Sequence, residues 1–385
     1  MTAPSEADSG ASEDPKLRSI AEAFHGPGAI RHIRALGNGN VNDTYLVQTS
    51  TDSFVLQRLN TSVFANPEQV MGNLQVLGEH VQPKLEQSSE VADFSRWELP
   101  RVIPPQSGAV LWHCCPEGGF WRCTSFVANA CSIDRIEHAQ QALQVGAGLG
   151  RFHRLIHDIP CEELHDTLEG FHVTPRYLDL YHQALVRSSA KPCQQTEACI
   201  AFIREREAFC GVLEQARQRG ELSIRPIHGD PKCNNVMLDE SSGEAIALID
   251  LDTVKPGLIH YDIGDGLRSC CNRAGEECDD LDQVVFSIDL ARAMLEGYLR
   301  EAGSVLTQWD LHYIPAAARL ISFELGLRFF TDHLNGNVYF KASHPSHNLQ
   351  RALVQFRLTE SIEHQFDALQ ALVQELSGAT AARPC

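Results

Sequence analysis

Hydrophobic and polar residues alternate in two short runs near the start of the chain. The runs "TYLVQT" (residues 44–49) and "FVLQRL" (residues 54–59) are separated by "STDS", a pattern typical of a β-hairpin. After them, Asn66 can cap a helix and Pro67 can open it. Apolar residues then recur at helical spacing, at Val70, Leu74, Leu77 and Val81. The pattern predicts a hairpin followed by a helix, with the glycine-containing loop "GNGNVND" in front of both.

A second hairpin is predicted in "AVLWHCCPEGGFWRCTSFV", with its turn at Glu117 to Gly119. The pattern then becomes helical, and "QALQVGAGLGRFHRLIHD" carries one apolar stripe made of Val145, Leu149, Phe152 and Ile156. From about residue 279 to the end, helical patterns dominate. We therefore predict an α+β fold of two lobes, a small β-rich lobe over residues 17–127 and a larger helical lobe over residues 128–380.

Composition places the chain among ordinary globular proteins, because 43% of its 385 residues are hydrophobic and 21% are charged. No apolar run approaches the ~18 residues that a membrane-spanning helix needs. The first segment, "MTAPSEADSGASEDPK", is acidic and polar and does not resemble a signal peptide. We predict a disordered tail over residues 1–16 and a soluble cytoplasmic protein.

The net charge of −18 argues against a nucleic-acid partner, which would require clustered Lys and Arg, and favours a small substrate. The 13 cysteines are odd in number and include no CxxC motif. Cys270, Cys271 and Cys278 lack the spacing of a zinc finger. Buried free thiols are therefore favoured over a metal site.

Four polar groups lie within eight positions of "PIHGDPKCNNVMLD" (residues 226–239), namely His228, Asp230, Lys232 and Asn235. "NVMLD", the turn "ESSGE" and "AIALID" then predict another hairpin, which ends at Asp250. Because the two ends of a hairpin lie close together, Asp230, Asn235 and Asp250 are expected around one point.

Phosphoryl transfer from ATP needs such a set, with a carboxylate to orient the attacking hydroxyl and oxygen ligands for magnesium. The kinase pattern HRD followed after four residues by Asn is matched by His228, Asp230 and Asn235, and Asp250 stands where the aspartate of DFG would. Lys232 can offset charge on the transferred group. For "HGD" alone, the alternative is a turn with a capping aspartate, but the whole combination favours a kinase-like site.

The chain resembles the aminoglycoside phosphotransferase and choline kinase superfamily, which has a two-lobed, protein-kinase-like fold. More closely, six ordered blocks resemble N-acetylhexosamine 1-kinases, which phosphorylate the anomeric hydroxyl of N-acetylglucosamine and N-acetylgalactosamine. These blocks are "GNGNVNDTYLV", "FVLQRLN", "FANPEQVMGN", "HGDPKCNNVMLD", "IDLDTVKPGLIHYDIGD" and "LRFFTDHLNGNVYF".

The resemblance implies that Asp230 is the catalytic base, and that Asn235 and Asp250 bind magnesium, with Asp252 as a further candidate. It also implies a loop over the ATP phosphates formed by Gly37, Asn38, Gly39, Asn40 and Asn42. The lysine that protein kinases place on the third strand is absent from "FVLQRL". Arg58 is the basic residue there, as in choline kinases. Its partner is open between Glu68 and Glu79 on the following helix, and Glu79 is favoured.

Two residues of the last block are candidates for substrate binding. Arg328 shares an apolar helical stripe, and a charge buried there needs a partner. It either pairs with Asp332 one turn later or donates hydrogen bonds to sugar hydroxyls, and the resemblance favours the sugar. Tyr339 would offer an aromatic face or a hydroxyl to the substrate, or else belong to the core.

Three further features are interpreted as structural. His153 and His157 have the spacing of helical metal ligands, but the glutamate of HExxH is missing, which favours packing. Asp262 is interpreted as structural support for the site. The acidic run "EECDD" (residues 276–280) is interpreted as a solvated turn.

The expected activity is magnesium- and ATP-dependent phosphorylation of an N-acetylhexosamine. The alternatives are the same reaction on choline, ethanolamine, another sugar or an aminoglycoside, and a nucleotide-binding pseudokinase. A protein kinase is disfavoured because no set of HRD, DFG and APE follows in order. The sequence leaves the oligomeric state open.

Overall fold

The computed structural model describes residues 14–26, 28–37, 41–89, 96–115, 118–188 and 193–381. The chain divides into two compact units, one formed by Met1–Pro67 and Pro100–Phe126, the other by Glu68–Leu99 and Val127–Cys385. We call them the first and the second unit. The sequence predicted a division near residue 128, whereas residues 68–99 were expected in the β-rich part.

Helices make up most of the second unit, whereas the first unit consists of a β-sheet, one helix and loops. The helices are α1 (Pro15–His25), α2 (Pro67–Ser89), α3 (Ala139–Ile156), α4 (Thr174–Arg187), α5 (Gln194–Arg204), α6 (Val212–Gln218), α7 (Ile259–Cys270), α8 (Ile288–Ala302), α9 (Gln308–Leu334), α10 (His347–His364) and α11 (Phe366–Ala381). The strands are β1 (Ile30–Ala35), β2 (Asp43–Thr49), β3 (Ser53–Leu59), β4 (Val102–Ile103), β5 (His113–Cys114), β6 (Phe120–Ser125), β7 (Ala130–Cys131), β8 (Arg225–Ile227), β9 (Val236–Asp239), β10 (Ala245–Leu248) and β11 (Lys255–Gly257). The predicted α+β class is confirmed.

An antiparallel sheet with the order β1-β2-β3-β6-β4 forms the first unit, and β5 pairs with β6. The predicted hairpin of β2 and β3 is confirmed, with Val47 opposite Phe54. Helix α1 was missed, because the polar composition of its first residues suggested a tail. Pro15 and Lys16, predicted to be disordered, lie in this helix, which Asp14 caps by accepting a hydrogen bond from the Lys16 N–H at 3.0 Å. The rest of the predicted tail lies outside the described residues.

Side chains along β3 alternate between the two faces of this sheet. Phe54 and Leu56 belong to the buried core that the sheet forms with α1. Arg58 shares their face, and its guanidinium lies 3.7 Å from the Asp43 carboxylate. Gln57 points to the opposite face. Gln57 and Arg58, which are neighbours in β3, therefore lie on opposite faces of the sheet.

Helix α2 is tied to the second unit by polar contacts. The Asn73 amide donates to the carbonyls of His165 and Val254, both at 2.9 Å, and accepts the His165 N–H at 2.8 Å. The Lys84 ammonium lies 2.5 Å from the Asp158 carboxylate. These partners follow in sequence more than seventy residues later, which explains why the pattern of the helix alone did not assign it to this unit.

Helix α3 packs against α8 at the centre of the second unit. The predicted apolar stripe of α3 is buried, since Val145, Leu149, Phe152 and Ile156 are at most 1% exposed. The two helices approach so closely that backbone meets backbone. A Cβ atom on Gly146 would lie 1.9 Å from the Met294 carbonyl oxygen, and one on Gly297 would lie 2.0 Å from the Leu143 carbonyl oxygen.

The cysteines that the structure describes are free thiols, as predicted. Most of them are buried, among them Cys123, Cys199, Cys210 and Cys270. Burial raises the pKa of Cys199 and of Cys210 to about 12. Among the described residues, none of the helices combines the length and the apolar composition needed to cross a membrane.

We predict that Gly146→Ala lowers the free energy of unfolding by at least ~1–3 kcal/mol, because the added methyl group has no room beside α8. Urea denaturation followed by circular dichroism measures the change. Gly78→Ala is the matched control, since nothing lies within 4 Å of a Cβ at this position of α2. The control should be neutral or stabilise the protein by up to ~1 kcal/mol through helix propensity. Equal stability of Gly146→Ala and the unchanged protein would contradict the close helix crossing.

Candidate active site

The end of the β9–β10 hairpin brings two of the predicted site residues side by side. Leu248 pairs with Val236, and the Ile249 N–H donates to the Asn235 carbonyl oxygen at 2.9 Å. Asp250, the next residue, therefore follows directly after the backbone that is bonded to Asn235. The predicted hairpin is confirmed.

A buried carboxylate holds the segment that carries Asp230. Asp262 on α7 is 0% exposed and accepts the backbone N–H of His228 at 2.6 Å and that of Gly229 at 2.8 Å. His153 on α3 lies 2.8 Å from the same carboxylate through Nε2, and its Nδ1 lies 2.9 Å from the Tyr298 hydroxyl. Burial raises the pKa of Asp262, but these partners outweigh it and lower the pKa from its usual value. The predicted structural roles of Asp262 and His153 fit these contacts.

Gly229 occupies a position that admits only glycine without strain. Its φ is +90°, and a Cβ there would lie 2.6 Å from the Thr253 carbonyl oxygen. The Thr253 hydroxyl donates to the His228 carbonyl oxygen at 2.7 Å, and His172 Nε2 lies 2.8 Å from the Gly229 carbonyl oxygen. The backbone of His228 and Gly229, directly before Asp230, is therefore held by hydrogen bonds with Thr253 and His172.

Asp230 and Lys232 form an ion pair at the surface of the second unit. Lys232 Nζ donates to Asp230 Oδ2 at 2.9 Å, and the two side chains are 30% and 31% exposed. Burial raises the pKa of Asp230, but the Lys232 ammonium, together with His228 and Arg268, outweighs this effect and lowers the pKa from its ordinary value. The Asp230 charge in turn raises the pKa of Lys232. Asp230 is therefore ionised at neutral pH.

Asn235 and Asp250 present oxygen atoms beside Asp230. The Asn235 amide nitrogen donates to the Asp230 carbonyl oxygen at 2.7 Å, which leaves the amide oxygen for another partner. Asp250 has a φ of +64°, a left-handed conformation that is uncommon for an aspartate and recurs at functional sites. Asp252 is 1% exposed. Within the described residues, no group of three or more His, Cys, Asp or Glu is arranged to bind a metal ion.

A second charge cluster, which the sequence patterns did not predict, lies near Asp230. Arg268 on α7 is 3% exposed and pairs with Asp265 at 2.7 Å and with Glu276 at 2.6 Å. The Arg268 charge also lowers the pKa of Asp230, after the larger effects of Lys232 and His228. The acidic run "EECDD" lies in a turn, and Glu276, whose side chain is 34% exposed, in addition pairs with Arg268 on the buried helix α7. Asp265 and Arg268 lie three residues apart on one helix, and this spacing could have predicted their ion pair.

Arg328 lies among aromatic rings. Its guanidinium carbon is 5.0 Å from the ring centres of Phe171 and Tyr177 and 5.5 Å from that of Phe340. Burial lowers its pKa, but nearby groups that include Tyr177, Glu324 and Asp230 outweigh it. Arg328 and Asp230 are therefore within electrostatic reach of each other.

The alternative ion pair of Arg328 with Asp332 is not formed. The Asp332 carboxylate accepts hydrogen bonds from the backbone N–H groups of Val338, Tyr339 and Phe340 and from the Asn348 amide, at 2.8–3.0 Å. Asp332 therefore holds the backbone of the loop that follows α9. Tyr339, for which a core position was the alternative, is 59% exposed.

The predicted nucleotide-binding residues are described in part. Gly37 has a φ of +69°, whereas Asn38, Gly39 and Asn40 lie outside the described residues. The side-chain oxygen of Asn42 accepts the Asn60 N–H at 3.0 Å. Arg58 is 51% exposed and has Asp43 as its ion-pair partner. Glu79 and Glu68 are exposed on α2, and Glu79 accepts a hydrogen bond from Gln75 at 2.8 Å.

Comparisons with known proteins agree on one family and one fold. The model of the phosphotransferase enzyme family matches residues 32–298, more than half of the chain. An aminoglycoside phosphotransferase from Alicyclobacillus acidocaldarius subsp. acidocaldarius is 16% identical with a TM-score of 0.62, covering 93% of this chain and 96% of that chain. A microcompartment-associated aminopropanol kinase is 15% identical with a TM-score of 0.61, covering 93% and 99%.

A spectinomycin phosphotransferase, solved with ADP and spectinomycin, is 13% identical with a TM-score of 0.54, covering 95% and 98%. Identities this low bear on the fold alone. They confirm the predicted kinase-like fold.

We predict that Lys232→Met raises the pKa of Asp230, because the ammonium that favours the ionised carboxylate is lost. The titration of Asp230 should move to higher pH in carboxyl ¹³C NMR of aspartate-labelled protein, with the signal assigned through Asp230→Asn. Lys84→Met is the matched control, since it removes the lysine partner of Asp158 and should raise the pKa of that residue instead. An unchanged or lower pKa of Asp230 in Lys232→Met would show that Lys232 does not set its charge.

Proposed function

The chain belongs to the phosphotransferase enzyme family, and on that premise we propose that it is a magnesium- and ATP-dependent kinase of an N-acetylhexosamine. The γ-phosphoryl group passes to the anomeric hydroxyl of N-acetylglucosamine or N-acetylgalactosamine. The observation that carries the proposal is the ionised, partly exposed Asp230, held 2.9 Å from Lys232 beside Asn235 and Asp250. The resemblance of six sequence blocks to N-acetylhexosamine 1-kinases supports the choice of acceptor.

Asp230 is suited to orient the acceptor hydroxyl. Lys232 engages Oδ2 of its carboxylate, and Oδ1 accepts no hydrogen bond from the residues that the structure describes. An acceptor hydroxyl can therefore donate to Oδ1 and transfer its proton late, as the new oxygen–phosphorus bond forms and the bond to the ADP oxygen breaks. Lys232 compensates negative charge on the transferred group.

The oxygen atoms of Asn235 and Asp250 suit magnesium, which prefers hard oxygen ligands. The Asn235 amide nitrogen is already used by the Asp230 carbonyl, so the amide oxygen is the free end of that side chain. Asp252 is the additional candidate. Magnesium, when bound, would neutralise charge on the nucleotide phosphates. Two protein ligands are enough, because magnesium usually completes its shell with phosphate oxygens and water.

The charge of Arg328 favours a neutral acceptor. The Arg328 guanidinium, whose charge interacts with that of Asp230, repels a cationic acceptor but offers N–H donors to hydroxyl and acetamido oxygens. The rings of Phe171, Tyr177 and Phe340 around it offer apolar surface. This combination suits a polyhydroxylated molecule such as a sugar.

A cationic alcohol is the second candidate acceptor. The net charge of −18 would attract it, and the aminoglycoside phosphotransferase and the aminopropanol kinase of the same fold bear names of amine substrates. The positive charge of Arg328 opposes this candidate locally. A panel of neutral and cationic alcohols distinguishes the two.

We predict that Asp230→Asn lowers kcat at least ~100-fold and leaves ATP binding nearly unchanged, because the general base contributes roughly 10²–10⁴ to such reactions. Acceptor-dependent release of ADP measures turnover, and calorimetry measures ATP binding. Asp367→Asn, an exposed aspartate of α11, serves as the control that should keep full activity. If Asp230→Asn retained half of the activity, Asp230 would have no part in the chemistry. A chain that binds ATP and transfers no phosphate to any acceptor would be a pseudokinase.

We predict ADP release with N-acetylglucosamine or N-acetylgalactosamine in a panel that also holds glucose, galactose, choline, ethanolamine and kanamycin. Arg328→Leu should raise the acceptor KM ~10-fold or more and leave the KM of ATP unchanged, because a charged hydrogen bond to the acceptor is lost. Phosphorus NMR of the product should identify a sugar 1-phosphate.

Arg319→Leu is the matched control for this substitution. Arg319 lies on the same helix, its guanidinium is 3.8 Å from the ring centre of Phe209, and it pairs with Glu363. It should keep the acceptor KM of the unchanged protein. A folded Arg328→Leu with normal acceptor kinetics would remove Arg328 from the acceptor site, and preferential phosphorylation of choline or kanamycin would overturn the sugar assignment.

A further inference from the structure

A buried histidine connects the segment before Asp230 with helix α9. His172 is 4% exposed and lies two residues before the start of α4. Its Nε2 atom lies 2.8 Å from the Gly229 carbonyl oxygen, and its Nδ1 atom lies 2.9 Å from Oε1 of Glu324 on α9. Glu324 is 1% exposed, and its other carboxylate oxygen accepts the Thr174 hydroxyl at 2.6 Å. A single imidazole therefore joins the two elements.

Both ring nitrogens of His172 face oxygen atoms that accept hydrogen bonds. The Gly229 oxygen is a carbonyl and can only accept, so Nε2 carries a proton. On the other side, the Glu324 carboxyl group receives the Thr174 hydroxyl on one oxygen and faces Nδ1 with the other. A neutral imidazole has one N–H group, so a second proton must lie between Nδ1 and Glu324. This proton belongs either to the imidazole or to the carboxyl group.

The charges around His172 favour a proton on the imidazole. Burial lowers the pKa of His172, but the charge and the hydrogen bond of Glu324 outweigh burial and raise the pKa above its ordinary value. Asp265 on α7 raises it further, whereas Arg328 on α9 opposes both carboxylates. His172 is therefore an imidazolium with two N–H donors.

Two tyrosines complete the titratable surroundings of this histidine. The ring centre of Tyr261 on α7 lies 5.5 Å from that of His172. Tyr177 on α4 interacts with the His172 backbone. Burial raises the pKa of both phenols, that of Tyr177 to about 12, so neither is charged where a histidine titrates.

The backbone of His172 is in the left-handed region, with a φ of +65°. The other non-glycine residues with positive φ in the described part of the chain are Asn129, Asp250 and Asn337. Asparagine and aspartate adopt this region more easily than most residues. A strained backbone persists only where its surroundings fix it, and such positions cluster at functional sites.

The contacts of His172 reach both halves of the proposed acceptor site. Glu324 and Arg328 lie one turn apart on α9. Phe171, the residue before His172, places its ring centre 5.0 Å from the Arg328 guanidinium carbon and 4.0 Å from the His172 ring centre. On its other side, His172 holds the carbonyl of the residue directly before Asp230. The proposed base and the proposed acceptor contact are thus joined through one residue.

We propose that His172 is a positioning residue of the phosphoryl transfer, a doubly protonated imidazole that holds Asp230 and Arg328 at the spacing that the acceptor requires. This inference rests on the proposed kinase function and adds the residue that sets the geometry of its acceptor site. His172 acts through Gly229 and Glu324, because both of its ring nitrogens are used by them. The bridge is complete at low pH and is lost as the pH rises through the raised pKa of His172, above the ordinary value of about 6.5.

His172→Asn removes the bridge and suits the left-handed backbone. We expect kcat with the accepted alcohol to fall at least ~10-fold, because a small displacement of the reacting groups costs up to ~100-fold in rate. The KM of ATP should not change. His182→Asn is the matched control, since His182 is an exposed histidine of α4 that pairs with Glu207 at 3.1 Å, and it should keep all kinetic constants. Normal acceptor kinetics in folded His172→Asn would overturn the proposal, and so would an equal loss for ATP and the acceptor, which a merely structural role produces.

Glu324→Gln is the conservative variant that keeps the hydrogen bonds and removes the charge. Its amide donates to Nδ1 of a neutral imidazole and still accepts the Thr174 hydroxyl. We expect kcat/KM for the acceptor to decrease on the alkaline side in the unchanged protein, as His172 loses its second proton. Glu324→Gln should retain most of the activity that His172→Asn loses and should lack this decrease. An identical alkaline decrease in both proteins would contradict the proposal, and this test also decides it if His172→Asn does not fold.

Nitrogen NMR of histidine-labelled protein tests the protonation of His172 without any acceptor. Both ring nitrogens of His172 should carry protons at neutral pH, with the signal identified as the one that Glu324→Gln shifts. A neutral His172 ring would overturn the proposal.

Failure of the acceptor assignment is distinct from failure of the His172 assignment. If another alcohol is phosphorylated and no hexosamine is, the acceptor assignment fails, and the His172 variants are measured with that alcohol. If the unchanged protein phosphorylates no alcohol, the kinase function fails and the role of His172 fails with it. Failure of the His172 assignment alone appears as an active protein whose kinetics His172→Asn leaves unchanged.

Discussion

The site of the second unit depends on one buried carboxylate. Asp262 fixes two successive backbone N–H groups, those of His228 and Gly229, and its remaining contact is with His153 on another helix. Removing one partner from such a buried network leaves unsatisfied donors at a cost of about 1–3 kcal/mol each. Asp230 follows directly after these two residues, so the position of its carboxylate is set by a residue thirty-two positions later in the chain.

The sequence predicted those parts of the fold that local patterns specify. The hairpins of β2 with β3 and of β9 with β10, and the helix from Pro67, are local structures. The spacing of their apolar residues and their turn residues predict them. The convergence of Asn235 and Asp250 follows from hairpin geometry alone. The assignment of α2 to the second unit depends on Asn73 and its partner His165, ninety-two residues away. Contacts between residues so far apart in the chain produce no periodic pattern in a single sequence.

The surroundings of three arginines also could not be predicted from the sequence. From the sequence, Arg268, Arg328 and Arg122 are three charges in apolar surroundings, and each could be a paired structural residue. The structure gives them different surroundings. Arg268 lies between two carboxylates, Arg328 lies among three aromatic rings, and Arg122 on β6 donates to the side-chain amide of Gln57. The two carboxylates offset the charge of Arg268, whereas the aromatic rings around Arg328 leave its N–H groups able to donate to a ligand.

The glutamine on β3 has a practical consequence for detecting this protein. Chemical proteomics commonly identifies nucleotide-binding proteins with acyl phosphates, which acylate a lysine amine near the bound nucleotide. Gln57 has no nucleophilic amine with which to attack an acyl group. The one lysine of the first unit, Lys16, lies on α1, on the other side of the sheet. Acyl phosphate reagents would therefore find no lysine to label on the described strands of this unit, and would under-report the ATP binding that we propose.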